Sequence, residues 1–321
     1  MIQTALSPGA ASVDDLMRQE LAQGDAMIRS VAPIMRHLLS SDQHSLFADE
    51  IVARVRGGAG DLARQLLDAV ASAAGEAERV EHDPAEIAAL VDVLTEVPGF
   101  ISHLHALAIE WQLTERLHDR LALDPVLPPL LQALLASTDT ATSSAAMNLL
   151  AAQARFAQTQ RRMQLPLTEL PADLMHAALV AMRNHAGGDA AADARAAAAE
   201  AEVRLRYDES RTRLGLIARL VTGMGGGAIA ALSVTHGGVA IFASALAIAS
   251  GQNRDLVVMS TNEGQLARFA LSLRAAGLKP AAIEEQFLAL HPEVALPDGF
   301  EALGADRAAA ILALATPLVG T

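Results

Sequence analysis

The sequence reads as an all-α protein: a helical bundle, or a HEAT-like arrangement of helical repeats, in two regions. Three observations lead there. Aromatic residues make up 3% of a chain that is 52% hydrophobic, so the core must rest on Leu, Ala, Val, Ile and Met. Ala and Leu are strong helix formers, whereas strands favour aromatic and β-branched residues. Apolar residues recur at three- and four-residue intervals, and no alternating strand pattern competes with them. Capping residues, glycines and prolines then divide those stretches into helix-sized pieces.

Ser12, with Asp14 and Asp15 behind it, starts a helix carrying Leu16, Leu21, Met27, Ile28, Val31, Ile34, Met35 and Leu38. Pro33 should kink or divide it. A second helix covers Leu46 to Val55 and stops at Gly57-Gly58. A third covers Asp61 to Ala74, and the acidic stretch 76–83 marks a sub-boundary. Asp83-Pro84-Ala85-Glu86 combines an N-cap acid, a first-position proline and a third-position glutamate. That helix ends at Pro98-Gly99, and the next runs from Ile101 to Leu121. Asp124-Pro125 begins another, with Leu127, Leu130, Leu131, Leu134 and Leu135 apolar. Ser143 to Arg162 is helical, Leu165 to Pro171 is a break, and a helix from Pro171 ends near Asn184. Gly187-Gly188 separates the two regions, 1–186 and 187–321.

Asp189 caps one long alanine-rich helix reaching Thr222. Val203, Tyr207, Ser210, Leu214, Ile217 and Val221 form a heptad seam along it, too short for a free coiled coil. Glu200 with Arg204, Glu202 with Arg206 and Glu209 with Arg213 pair at i,i+4, which reads as a solvated, self-neutralised face. From Leu220 to Asn253 there is no Asp, Glu, Lys or Arg. Glycines cut this stretch into Ala228–His236 and Val239–Ser250, each too short to span a bilayer, so two buried helices are expected. In the second, Ala240, Ser244 and Ala247 make a small-residue face. Leu266 to Ala276 is the next helix, Pro280 opens another with Ile283, Phe287 and Leu290, and a short one follows Asp306.

Net charge is −13 and Lys279 is the only lysine, which disfavours general nucleic-acid binding. The absence of cysteine removes disulfides, thiolate nucleophiles and Cys-ligated metals. The amino terminus lacks a basic region followed by an apolar run, so cytoplasmic residence is the expectation.

Gly237 to Leu246, the Gly251 after it, and Leu266 through Ala275-Ala276-Gly277-Leu278 resemble a bacterial all-helical family of uncharacterised proteins, domain of unknown function 2336. The likeness covers Leu220 to Leu290, with a looser echo at Leu123 to Val180. This chain has Gly237-Gly238 where members often carry Gly-Asp. The resemblance implies a helical-repeat fold and brings no catalytic residues.

Candidate chemistry is sparse. His103, His105, Glu110, Glu115 and His118 share one helix, and Glu115-Arg116-Leu117-His118 has the spacing of a di-iron bundle helix. No second copy exists, so no metal and no cofactor is expected. His82-Asp83 and His118-Asp119 sit beside helix ends, where capping is the ordinary role. His37 and His44 raise a histidine-phosphotransfer alternative, but no acid adjoins His37. Gly223 to Gly227 matches neither phosphate-binding glycine pattern. Arg155, Arg161 and Arg162 form the best basic cluster. The helix after Pro280 carries Glu284 and Glu285, which does not suit DNA reading.

The expected function is therefore non-enzymatic: a protein-interaction, regulatory or scaffold role, with a protein partner that includes a second copy of this chain. The alternatives are a helical-bundle enzyme centred on a histidine and membrane association through 228–250. The candidate interface is Val203, Tyr207, Leu214, Ile217, Val221, Ala240, Ser244 and Ala247.

Overall fold

A computed structural model of the chain describes residues 12–40, 50–75 and 81–315. Among them are fourteen α-helices, five 3-10 segments and no strand. The protein is all-α.

Helix α1 (Val13–Ser40) begins at Ser12, whose hydroxyl accepts from the Asp15 amide. It runs through Pro33 as one helix, so the proline does not divide it. Met17, Leu21, Ile28 and Met35 are buried along one side, and their packing outweighs the backbone bond that proline lacks. Helix α2 (Glu50–Ala73) likewise continues through Gly57-Gly58, where the glycines predict a stop. These glycines serve close approach instead. A Cβ at 57 would lie 2.5 Å from the Met163 carbonyl oxygen, so no larger residue lets α2 lie against the 163–165 segment.

Asp83 caps α3 (Pro84–Thr95) through the Ala85 amide. Helix α4 (Phe100–Leu121) follows the Pro98-Gly99 turn. Asp124 does not open a helix: it caps a turn by accepting from the Val126 and Leu127 amides, and α5 (Pro129–Leu135) begins only after Pro128. Helix α6 (Thr140–Arg161) starts from Asp139, a 3-10 turn covers Leu167–Glu169, and α7 is Ala172–Ala186.

The long helix expected from Asp189 to Thr222 is two helices. Helix α8 (Ala190–Arg206) stops at Tyr207, whose hydroxyl donates to the Leu170 carbonyl at 2.9 Å. Asp208 caps a 3-10 turn at Glu209–Arg211, and Thr212 caps α9 (Arg213–Gly223) by accepting from the Gly215 amide. The chain folds back tightly here, since a Cβ at 215 would sit 2.0 Å from the Glu209 carbonyl oxygen. Local capping by Asp208 and Thr212 beats the helix propensity on either side.

Two segments follow from the charge-free stretch. Gly225–Leu232 is a 3-10 segment, not the α-helix expected from Ala228, and α10 (Val234–Ser250) bends at Gly238, where φ is +69°. Asn253 then caps α11 (Arg254–Met259), which the sequence reading missed. The remaining helices are α12 (Leu266–Ala275), α13 (Pro280–Leu290) and α14 (Ala305–Ala313).

Helices α4 and α10 lie in the middle of a continuous hydrophobic core. Helix α4 packs against α2 and α11; α10 packs against α5, α9, α11 and α12. The core extends past Gly187-Gly188 in both directions, because α8 lies on α2 and α9 lies on α6. Phe269 links Phe242 and Phe287, at ring separations of 6.2 and 5.3 Å. Among the described residues no single helix is long and apolar enough to cross a membrane. Gly225–Leu232 and Val234–Ser250 pass that test only together and meet at 111°, and residues 237–247 are all buried within the chain.

Candidate functional site

Charged side chains meet where the charge-free stretch ends. Helix α4 contributes His103 and Glu110, seven residues apart and so on one face. The 3-10 turn ends on Glu169, α9 starts on Arg213, and α11 starts on Arg254-Asp255. Arg213 Nη1 donates to Glu110 Oε1 at 2.6 Å, and its Nε donates to Glu169 Oε2 at 2.8 Å. Its guanidinium carbon lies 3.6 Å from the centre of the Phe156 ring. Arg254 Nη2 donates to Glu110 Oε2 at 2.5 Å and its Nε to Ser244 Oγ at 2.9 Å. Arg213 and Glu110 are completely buried.

Both ring nitrogens of His103 face acceptors. Nδ1 is 2.9 Å from Asp255 Oδ2, and Nε2 is 2.9 Å from the Glu169 carbonyl oxygen. An imidazolium donates in both directions; a neutral ring donates in one. With His103 charged, three cations (His103, Arg213, Arg254) balance three carboxylates (Glu110, Glu169, Asp255). A buried charge survives only when so paired.

Burial works against the charged imidazolium, but the Asp255 carboxylate and the Glu169 carbonyl outweigh it and raise the His103 pKa above its ordinary 6.5. Burial also pushes Glu110 up, yet Arg213 and Arg254 together bring it down to about 2. Glu169 ends above the usual carboxylate range: burial dominates, the Glu110 charge adds to it, and Arg213 only partly offsets them.

These directions predict a stability profile. Glu110, depressed on folding, contributes stability above its unfolded value of 4.5 that drains as pH falls toward 2. Glu169, raised on folding, opposes this, and its cost is relieved as pH falls toward 4.5. His103, also raised, contributes in full below 6.5, and its contribution is lost as pH rises through the folded value. Urea midpoints from about pH 6 to about pH 9 should decline, with a shallower decline in His103→Gln. A wild-type decline no steeper than the variant's would contradict the charged histidine.

An apolar cleft of about 660 Å³ opens beside this cluster, between α9, α10 and the start of α11. Leu170, Leu214, Ala218, Ala247 and Ile248 line it, with Ser210, Asn253 and Arg254 among the polar groups at its edges. Ile248 is 50% exposed.

The predicted interface residues are dispersed by this architecture. Leu214, Ser244 and Ala247 line the cleft. Ile217 and Val221 are buried, on a helix that packs against the chain's own α6 and α10. Ala240 lines a small cavity beside Pro128 and Gly238. Val203 and Tyr207 are half-buried, beyond the break between α8 and α9.

The other candidates have ordinary engagements. His82 Nε2 is 2.8 Å from Asp68 Oδ1. His118 Nδ1 lies 3.1 Å from the Leu123 carbonyl at the end of α4, and Glu115 pairs with Arg54 at 3.3 Å. His105 and His236 are half-buried, His37 is exposed, and His44 lies outside the described residues. Arg155 and Arg162 are exposed on α6 and at its end. The Arg161 guanidinium carbon is 5.9 Å from the centre of the Trp111 ring. Among the described residues no three His, Asp or Glu side chains are grouped to hold a metal ion.

Arg213, Arg254, Asp255 and Glu169 were not foreseen. Arg213 was assigned to the i,i+4 face with Glu209, but Glu209 instead accepts from the Ala172 amide. The available signal was positional: Arg254-Asp255 is the first charged pair after thirty-four residues without Asp, Glu, Lys or Arg. Comparison with protein families, curated proteins and solved structures returned no match.

Proposed function

We propose that this chain is a non-enzymatic protein-interaction module that receives a segment of a partner protein in the cleft between α9, α10 and α11. The observation that carries this reading is the pairing of an apolar cleft with an ion cluster whose histidine is already engaged. His103, which lines the cleft, has an acceptor 2.9 Å from each ring nitrogen, and as an imidazolium donating to both it carries no lone pair for a general base. The cleft lining mixes apolar side chains with polar and charged ones, a composition suited to a binding surface. The likeness to domain of unknown function 2336 belongs to the same proposal and adds no activity to it.

Ile248→Glu tests this. The side chain is half exposed on the cleft wall, so the change should leave the melting temperature within a few degrees of wild type. Affinity capture from the native host should recover a defined partner with wild type and at least roughly tenfold less with the variant. Recovery of the same proteins at the same level with both would overturn the assignment.

A further inference from the structure

The carboxy-terminal face carries a second feature, independent of that cleft. Two grooves, of about 950 and about 420 Å³, flank the segment 292–297. They share Phe287, Val294, Leu296 and Pro297 as apolar lining. Leu288, 68% exposed on α13, lines the larger groove, and Met27, 42% exposed on α1, lines the smaller.

Every charged residue that lines either groove is acidic. Glu284, Glu285, Asp298 and Glu301 border the larger, Glu20 and Glu263 the smaller. Among the described residues no Arg, Lys or His lines either one. None of the six takes part in the ion pairs formed among the described residues. Six carboxylates thus border a shared apolar lining, and no ion pair among the described residues engages them.

We propose that this paired groove docks a basic amphipathic helix of another protein, its apolar side on Leu288, Val294 and Leu296 and its Lys or Arg side chains against the acidic rim. An amphipathic helix laid in an apolar groove is a recurrent recognition mode, and complementary charge fixes its orientation and speeds its arrival. Charge also argues against the chain's own ends as occupants. Residues 1–11 and 316–321 contain no Lys or Arg. A second copy of this chain is a poor occupant too, since it carries a net charge of −13 and would repel at this face.

The probe is a fluorescein-labelled helical peptide of about 18 residues, Leu on one face and Lys on the other, titrated with the full chain and read by anisotropy. The expected result is saturable one-site binding with a Kd on the order of 10 micromolar, weakened at least tenfold between roughly 50 and 300 mM salt. Leu288→Asp, and separately the triple change Glu284→Lys, Glu285→Lys and Glu301→Lys, should each weaken binding at least tenfold. A triple change of exposed acids that line neither groove, Glu81→Lys, Asp92→Lys and Asp173→Lys, removes the same charge elsewhere and should leave binding within twofold. Ile248→Glu should bind the peptide like wild type, so this inference and the cleft assignment fail separately. Circular dichroism confirms that each variant is folded. The inference is overturned if the control triple weakens binding as much as the groove triple, or if a scrambled peptide of equal charge binds equally well. Absence of saturable binding by wild type would overturn it as well.

Discussion

Replacing Arg213 with methionine is expected to destabilise the protein by about 3–5 kcal/mol, the usual cost of breaking a buried ion pair by removing one partner. Arg213 is the hub of the cluster. It bonds Glu110 from α4 and Glu169 from the 3-10 turn, and it stacks on Phe156 of α6. Without it, Glu169 loses its guanidinium and Glu110 keeps only Arg254. Water cannot replace the lost charge, because both carboxylates are almost fully buried. The triple change Arg213→Met, Glu110→Gln and Glu169→Gln should recover a large part of the loss, since it removes the uncompensated charges together with their partner. Urea or guanidinium unfolding of wild type and the two variants measures this. A loss below about 1 kcal/mol for Arg213→Met would place the cluster in water.

Ile217→Glu is expected to abolish cooperative folding. Ile217 is completely buried one turn beyond Arg213, and its helix packs against α6 and α10. A glutamate there would bury its carboxylate at a position closed to water, and a misplaced buried charge of this kind costs about 4 kcal/mol or more. That approaches the whole stability of an ordinary domain. The variant should therefore show no sigmoidal melt at neutral pH. A folded variant sedimenting as a smaller species than wild type would instead mean that Ile217 faces a second chain.

Most helix positions were legible because their signals are local. Asp83 and Asp189 each sit three or fewer residues from the amide they cap. Two of the misreadings concern a residue whose role is set by something distant in sequence. Gly57 ends no helix because Met163, more than a hundred residues away, needs the space. Arg213 looks like one member of an i,i+4 surface series. The turn at Glu209–Arg211 breaks that register and sends its side chain inward to Glu110, 103 residues back in the chain. Periodicity cannot report such a pairing, since it assumes that the helix continues. Of the cluster, His103 and Glu110 were singled out as chemistry-bearing residues on one helix. Their partners lie at the ends of separate short elements, and no spacing rule connects those.

The protonation state of His103 tests the account most directly. The geometry makes it an imidazolium that ties Asp255 to the Glu169 carbonyl, with a pKa above 6.5. Long-range proton–nitrogen correlation spectra of the ring, recorded at about pH 6.5 where an ordinary histidine is half protonated, separate the two forms. The prediction is that both ring nitrogens carry protons in most molecules. A neutral ring with one nitrogen bare would contradict the account, because His103 would then be free to act as a base beside the cleft.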